Sequence, residues 1–345
     1  MGNTFLIKFV LKRIIYSLFV LVGLSILIFI ISRVVPGDPA RMALGARAPE
    51  WAVENLSKEM YLDKPIPIQY YYWFKNAIHG DFGISLVTRR NVIIDVKEFL
   101  PASLELAFYA GFFMLIMGII LGTISGWFAD SWIDNLIRIF SYIGVVTPSF
   151  VFAIFFVLIF GYVLETLPTM GRVSENLVLP PYITGMISVD ALIAGRFDIY
   201  FDFLKHLLLP AISLAMGPLS QSTRITRASL VDNVHKDYIA SARSCGIPER
   251  VIMFKYLLKP SLIPTISIVG LSFAGIMANA FLVELIFNWP GFSRYGMNAM
   301  LQKDLNAIVA TVLVLGIIFM ITSLIIDLLV SFLDPRIELV AGRSK

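Results

Sequence analysis

The sequence predicts an all-α integral membrane protein, a bundle of six transmembrane helices with a structured external loop, and three observations carry that prediction. Hydrophobic residues make up 58% of the 345-residue chain and charged residues 15%, too apolar for a soluble domain of this length. Several apolar runs reach the roughly 20 helical residues that cross about 30 Å of hydrocarbon. Lysine and arginine gather in alternate connections between these runs, the bias of multi-pass proteins toward a positive inner side.

The elements follow in order. Residues 1–13 are a basic flank with Lys8, Lys12 and Arg13, and residues 14–34 form the first span. That run is too long for the apolar core of a secretion signal and no small-x-small cleavage site follows it, so it is a retained span. Residues 35–103 form a long external loop with a helical pattern near Trp51 to Tyr61, two prolines, and then an aromatic-rich helix. Tyr70, Tyr71, Tyr72, Trp73 and Phe74 suit a membrane–water boundary, as anchors or as a docking or gating surface.

The membrane domain proper is predicted over 104–334, with spans at 104–127, 139–164, 207–229, 265–287 and 307–332. Gly118, Gly122 and Gly126 in one span, and Gly270, Ala274 and Ala278 in another, recur every four residues and let helix backbones approach. The run 207–229 is weaker, interrupted by Pro210, Gly217, Pro218 and the polar stretch Ser220, Gln221, Ser222, Thr223 and Arg224. Such a span is tolerated where neighbours or a wet cavity cover its backbone. Ser220, Gln221, Ser222 and Thr223 are therefore candidates to line a path, with irregular packing the alternative. A tail at 335–345 follows the last span.

The most informative segment is a basic helical hairpin at 232–264, containing DYIASARSCGIPERV. Small residues (Ala240, Ser241, Ala242, Ser244) favour a short helix that another surface can approach closely. Gly246 is placed to end that helix in a left-handed cap, and Pro248 to sit in the first turn of the next. A rigid corner projecting between spans points to a membrane subunit that receives force from a soluble partner.

Charge orients the spans. Lys8, Lys12, Arg13, Arg138, Arg224, Arg227, Lys236, Arg243, Arg250, Lys255, Lys259, Arg336, Arg343 and Lys345 fall on one side of a six-span topology. The short connections opposite hold only Arg172, Arg196, Lys205, Arg294 and Lys303. Both termini and the hairpin are therefore expected in the cytoplasm. The net charge of +4 requires no nucleic-acid partner.

Other chemistry is disfavoured. The lone Cys245 leaves no disulfide framework or cysteine metal cluster, and His79, His206 and His235 are too far apart for metal spacing. No G-x-x-x-x-G-K-[ST] loop, H-E-x-x-H pair or G-x-S-x-G elbow is present, so neither ATP binding by that loop nor a known catalytic set is encoded. Glu105, Glu165, Glu284 and Arg33 lie near span ends, where snorkelling or interfacial pairing accounts for them. Asp327, deeper in its span, suits a buried polar contact better than a proton relay. The turn from Phe287 to Gly291 is expected to shape an external gate.

RVVPGDPA after the first span, LDKPIPIQY…GDFGIS in the loop, KHLLLPAISLAM, DYIASARSCGIPERV, VELIFNWPGFSRY and DLLVSFLDPRIEL occur in a characteristic order. In these the chain resembles the B-type inner-membrane permease subunit of oligopeptide/dipeptide binding-protein-dependent ABC importers. The resemblance implies a non-catalytic subunit without cofactor. It also implies a second homologous permease, two cytoplasmic ATPases and an external solute-binding protein as partners. In that family the hairpin carries an E-A-A-x-x-x-G motif that docks in the ATPase. Here Gly246 and Ala242 match, while Ser241 and Ala240 stand at the first alanine and the glutamate. The implied contact comprises Asp237, Tyr238, Ala240, Ser241, Ala242, Gly246, Glu249 and Arg250. Di- and oligopeptides are the implied substrates, with oligosaccharides, nickel complexes or glutathione as alternatives. A self-powered carrier would need more ionisable residues at mid-membrane, and an enzyme a nucleophile–base or metal set.

Overall fold

The computed structural model describes residues 3–34, 39–45, 47–59 and 61–333. The predicted tail at 335–345, Asp334-Pro335-Arg336 and the centre of RVVPGDPA lie outside the described residues. The chain is helical: α1 (Asn3–Val34), α2 (Pro39–Leu44), α3 (Glu50–Glu59), α4 (Ile66–Ile78) and α5 (Val92–Trp127) come first. Next are α6 (Trp132–Val146), α7 (Ser149–Phe156) with a π-helical extension Val157–Val163, α8 (Ile187–Ile193) and α9 (Phe197–Val234). Then come α10 (Asp237–Ser244), α11 (Glu249–Val251), a π-helical stretch Ile252–Leu258, and α12 (Lys259–Asn279). The last are α13 (Phe281–Ile286), α14 (Phe292–Leu301) and α15 (Leu305–Leu333). Among the described residues, five helices are long and apolar enough to span a membrane, or six when α6 and α7 with its extension count as one span bent by 108°.

Two compact units are present, Met1–Ser103 with Pro290–Met320, and Leu104–Trp289 with Ile321–Lys345. The first has a core of Val92, Val96, Phe292, Tyr295, Ala299, Ala307 and Ala310. Its loop is clamped by Asp304, which is fully buried. The Asp304 carboxylate accepts the Ser85 hydroxyl at 2.6 Å, the Leu86 and Val87 amides at 2.7 and 3.2 Å, and the Ala307 amide at 3.2 Å. Asp304 thus caps α15 and folds the GDFGIS loop with one side chain. The aromatic run of α4 divides by helical face: Tyr70 and Trp73 pack on Phe29 of α1 at 5.4 Å, while Tyr71 is exposed.

The second unit is built around α9. The expected interruption is absent there, because α9 continues through Pro210 and Pro218. Ser213, Thr223 and Thr226 each turn a hydroxyl back to the carbonyl four residues earlier, whereas the buried Ser220 and Ser222 hydroxyls have no hydrogen-bond partner among the described residues. The chain bends instead at Thr147 and Pro148, where proline forces the preceding residue into extended backbone (Thr147 ψ 124°). The helix of the predicted fifth span also starts earlier than expected, running from Glu249 through the π-helical stretch into α12.

Glycines bring the helices onto α9. A Cβ on Gly118 would lie 2.5 Å from the Ser222 hydroxyl, on Gly122 2.7 Å from the Thr223 carbonyl oxygen, and on Gly126 2.8 Å from Leu230. Gly144 of α6 leaves room for Ser220 in the same way, and Gly270 of α12 for Ile326 of α15. In hydrocarbon, helices gain little by burying apolar surface against each other, so close backbone approach supplies the attraction.

Gly122→Ala is therefore expected to lower the thermal midpoint in detergent by an amount equivalent to about 1–3 kcal/mol of overpacking. Gly23→Ala, with nothing within 4 Å of the added methyl, should leave it unchanged.

Candidate functional site

The hairpin is a complete helix-stop. Gly246 has φ +73°, its amide donates to the Arg243 carbonyl at 2.9 Å, and the Ile247 amide donates to the Ala242 carbonyl at 3.2 Å. These paired bonds close the end of α10, and Ile247 packs onto the core beneath it. Nothing lies within 4 Å of a Cβ on Gly246, so the glycine is required by backbone conformation and not by space. Pro248 sits just before α11, one residue ahead of its expected place in the first turn.

The two faces of α10 differ. Ile239 and Ala242 are buried with Leu230, Ile252, Met253 and Leu257. Asp237, Tyr238, Ala240, Ser241, Gly246, Glu249 and Arg250 are exposed. Ala242 therefore belongs to the hairpin's own core. Glu249 is ion-paired with Arg243 at 2.8 Å, which also raises the guanidinium's pKa through that hydrogen bond. Asp237 remains as the acidic group in the first turn of α10.

Polar bonds tie the hairpin's root to two long helices. The Tyr238 hydroxyl donates to Asn233 of α9 at 3.4 Å, and Asn233 donates to the Ser261 hydroxyl of α12 at 2.9 Å. Farther along the same two helices, Thr226 and Thr265 share a hydrogen bond at 2.9 Å. Beside them Arg227 of α9 makes a two-pronged bond with Asp134 of α6, Nε to Oδ1 at 2.7 Å and Nη2 to Oδ2 at 2.6 Å. Asp134 is fully buried and also accepts the Ser125 hydroxyl of α5 at 2.5 Å and the Asp130 amide at 2.9 Å. Arg227 counted in the sequence only as one of many positive charges. Its role was hidden because the partner lies 93 positions away.

The four polar candidates of α9 separate. Ser220, Ser222 and Thr223 are buried in the seams described above, and Gln221 is exposed. Near the other end of α5, Glu105 pairs with Arg172 and accepts the Ser188 amide at 2.6 Å, while Arg172 lies over the buried Trp289 ring at 5.7 Å. Asp327 is half-buried in α15.

Asp190 of α8 gathers from the segment before that helix the Thr184 hydroxyl at 2.7 Å and the amides of Ile183, Thr184 and Gly185 at 3.3, 2.8 and 3.0 Å. Burial pushes its carboxyl up, but these donors together outweigh burial and hold its pKa below the ordinary value. Among the described residues no cluster of histidine, cysteine or carboxylate could hold a metal ion.

Fold and site together define a multi-pass helical membrane subunit with a packed hairpin whose outer face is solvent-exposed. The family model described as the binding-protein-dependent transport system inner membrane component matches residues 118–339, and its N-terminal companion matches residues 6–107. The chain is 36% identical over 318 residues to the probable D,D-dipeptide transport system permease protein DdpB of Escherichia coli (strain K12), covering 92% of this chain and 94% of that one. It is 34% identical over 335 residues to the dipeptide transport system permease protein DppB of Alkalihalophilus pseudofirmus, covering 96% and 100%. The glutathione transport system permease protein GsiC of Shigella flexneri is 28% identical over 333 residues, with 96% and 99% covered. This chain belongs to the family of binding-protein-dependent transport system inner membrane components. It is a non-catalytic permease subunit of an ABC importer, in which ATP hydrolysis belongs to partner subunits.

Arg227→Ala leaves Asp134 charged, buried and unpaired, and should destabilise the protein by about 3–5 kcal/mol. Asp134→Leu combined with Arg227→Met should recover most of that loss in thermal melts. The depressed pKa of Asp190 contributes stability above the ordinary carboxylate range, lost as pH falls through the folded-state value. Asp190→Asn should thus melt below the native protein at neutral pH, the gap narrowing as pH falls through the folded-state value.

Proposed function

We propose that this chain conducts di- and oligopeptides inward across the cell membrane and that α10 is the element on which a cytoplasmic ATPase acts. The single observation that carries the proposal is the division of α10 into an anchored inner face and an exposed face of small residues. A helix fixed on one side and smooth on the other fits a partner's groove without large side chains intervening. Ala240 and Ser241 form the centre of the contact, flanked by Asp237, Tyr238, Gly246 and Arg250. Ala242 and the Arg243–Glu249 pair hold the contact's shape.

The assembly is completed by a second homologous permease, two ATPase subunits and an external solute-binding protein. The excess of lysine and arginine around the hairpin and at both termini supports a cytoplasmic position for all three. Closure of the ATPase pair displaces α10. Tyr238, Asn233 and Ser261 carry the displacement to α9 and α12, and Arg227 and Asp134 carry it to α6 and α5. Rocking of packed helices then alternates access to the path. Gln221 is the residue of the polar stretch proposed to face that path, while Ser220, Ser222 and Thr223 set how closely α9 meets its neighbours.

Peptides are favoured because relatives matched along nearly the whole chain are named for dipeptides. The relative named for glutathione supports a small peptidic solute as the second reading.

Ser241→Trp, on the exposed face, is expected to cut dipeptide uptake into proteoliposomes at least tenfold while leaving the subunit folded and basal ATP hydrolysis intact. Normal uptake by that variant would refute the contact. Ala242→Trp should instead lower yield and thermal stability, because it overfills the hairpin core.

A further inference from the structure

The unit formed by Met1–Ser103 and Pro290–Met320 holds a cavity of about 750 Å³, within the size range of small-molecule sites. Arg33, Arg89 and Lys303 line it, and none of the three has a carboxylate partner among the described residues. Arg33 is half-buried, its Nε is buried without a hydrogen-bond partner, and its guanidinium lies over the Phe29 ring at 5.0 Å. Asp81 also lines the cavity, with Oδ1 taken by the Gly83 amide at 3.0 Å. Tyr61 and Trp73 add aromatic surface.

Backbone conformation marks the same place. Six non-glycine residues have positive φ among the described residues, and Tyr61 (+55°), Arg89 (+57°) and Lys303 (+57°) of them line this one cavity. Left-handed backbone is unfavourable for such side chains and gathers where function requires a particular placement. Cations left without counter-charges around a hollow draw an anion, and an arginine fork matches a carboxylate with two parallel bonds.

We propose that this cavity is a binding site on the permease itself for a short zwitterionic peptide. Its carboxylate meets Arg33, Arg89 and Lys303, its amino group faces Asp81, and its side chains lie along Tyr61 and Trp73. The identity of the anion as a peptide rests on the transport reading above, whereas the cations without a carboxylate partner among the described residues stand independently of it.

The test is calorimetric titration of the full-length chain, in phosphatidylcholine nanodiscs, with Ala-Ala and with its C-terminal amide. Saturable binding of Ala-Ala is expected, at least tenfold weaker for the amide. Arg89→Asn with Lys303→Asn should also weaken Ala-Ala at least tenfold. Asparagine is chosen because it accepts positive φ and so removes charge without refolding the turns. Absence of saturable binding to the native chain, equal affinity for dipeptide and amide, or undiminished binding by the double variant would overturn the site. Abolition of Ala-Ala binding in phosphatidylglycerol nanodiscs would assign the cavity to lipid phosphate and also overturn it. Binding that persists in a protein unable to import dipeptides would sink the transport reading and leave the site standing.

Discussion

The pairing of the buried Asp134 with the half-buried Arg227 is the interaction on which the second unit depends. The buried carboxylate is too costly to leave without its partner, so the pair constrains where α6 and α9 must meet. Ser125 and the Asp130 amide occupy the remaining acceptor sites of Asp134, which brings the end of α5 and the following turn into the same constraint. Full satisfaction is what makes such a group tolerable and specific.

Around that pair the helices approach through missing side chains. Gly118, Gly122 and Gly126 admit Ser222, Thr226 and Leu230, and Gly144 admits Ser220. Among the residues that make α9 look broken in sequence, Ser220, Ser222 and Thr223 are those on which α5 and α6 close. A polar hydroxyl folded back onto its own helix is small, satisfied and compatible with tight contact. The hairpin inherits this rigidity, since its root is bonded to α9 and α12 and its inner face is packed.

The hairpin was legible because its signals are local: a glycine where φ must be positive, a proline just beyond, and small residues at helical spacing. The glycine spacing of α5 was legible for the same reason, although the partner helix was not. Arg227, Glu105 and Asp304 carried no local signal. Their partners lie far along the chain or are backbone amides that any residue could supply. Pro148 gives the bend a local signal, but a proline marks a break and not its angle, and hydropathy records length and not direction.

By itself, then, the sequence determined a helical multi-pass membrane protein, its glycine seams, and a stop-and-turn hairpin, because hydropathy and backbone preference act on residues close in the chain. Only the tertiary structure decided that Ala242 faces the hairpin's own core, that Gln221 alone of the polar four is exposed, and that Arg227 closes on Asp134. Burial and ion pairing are relations between distant segments, and they exist only once the helices have packed.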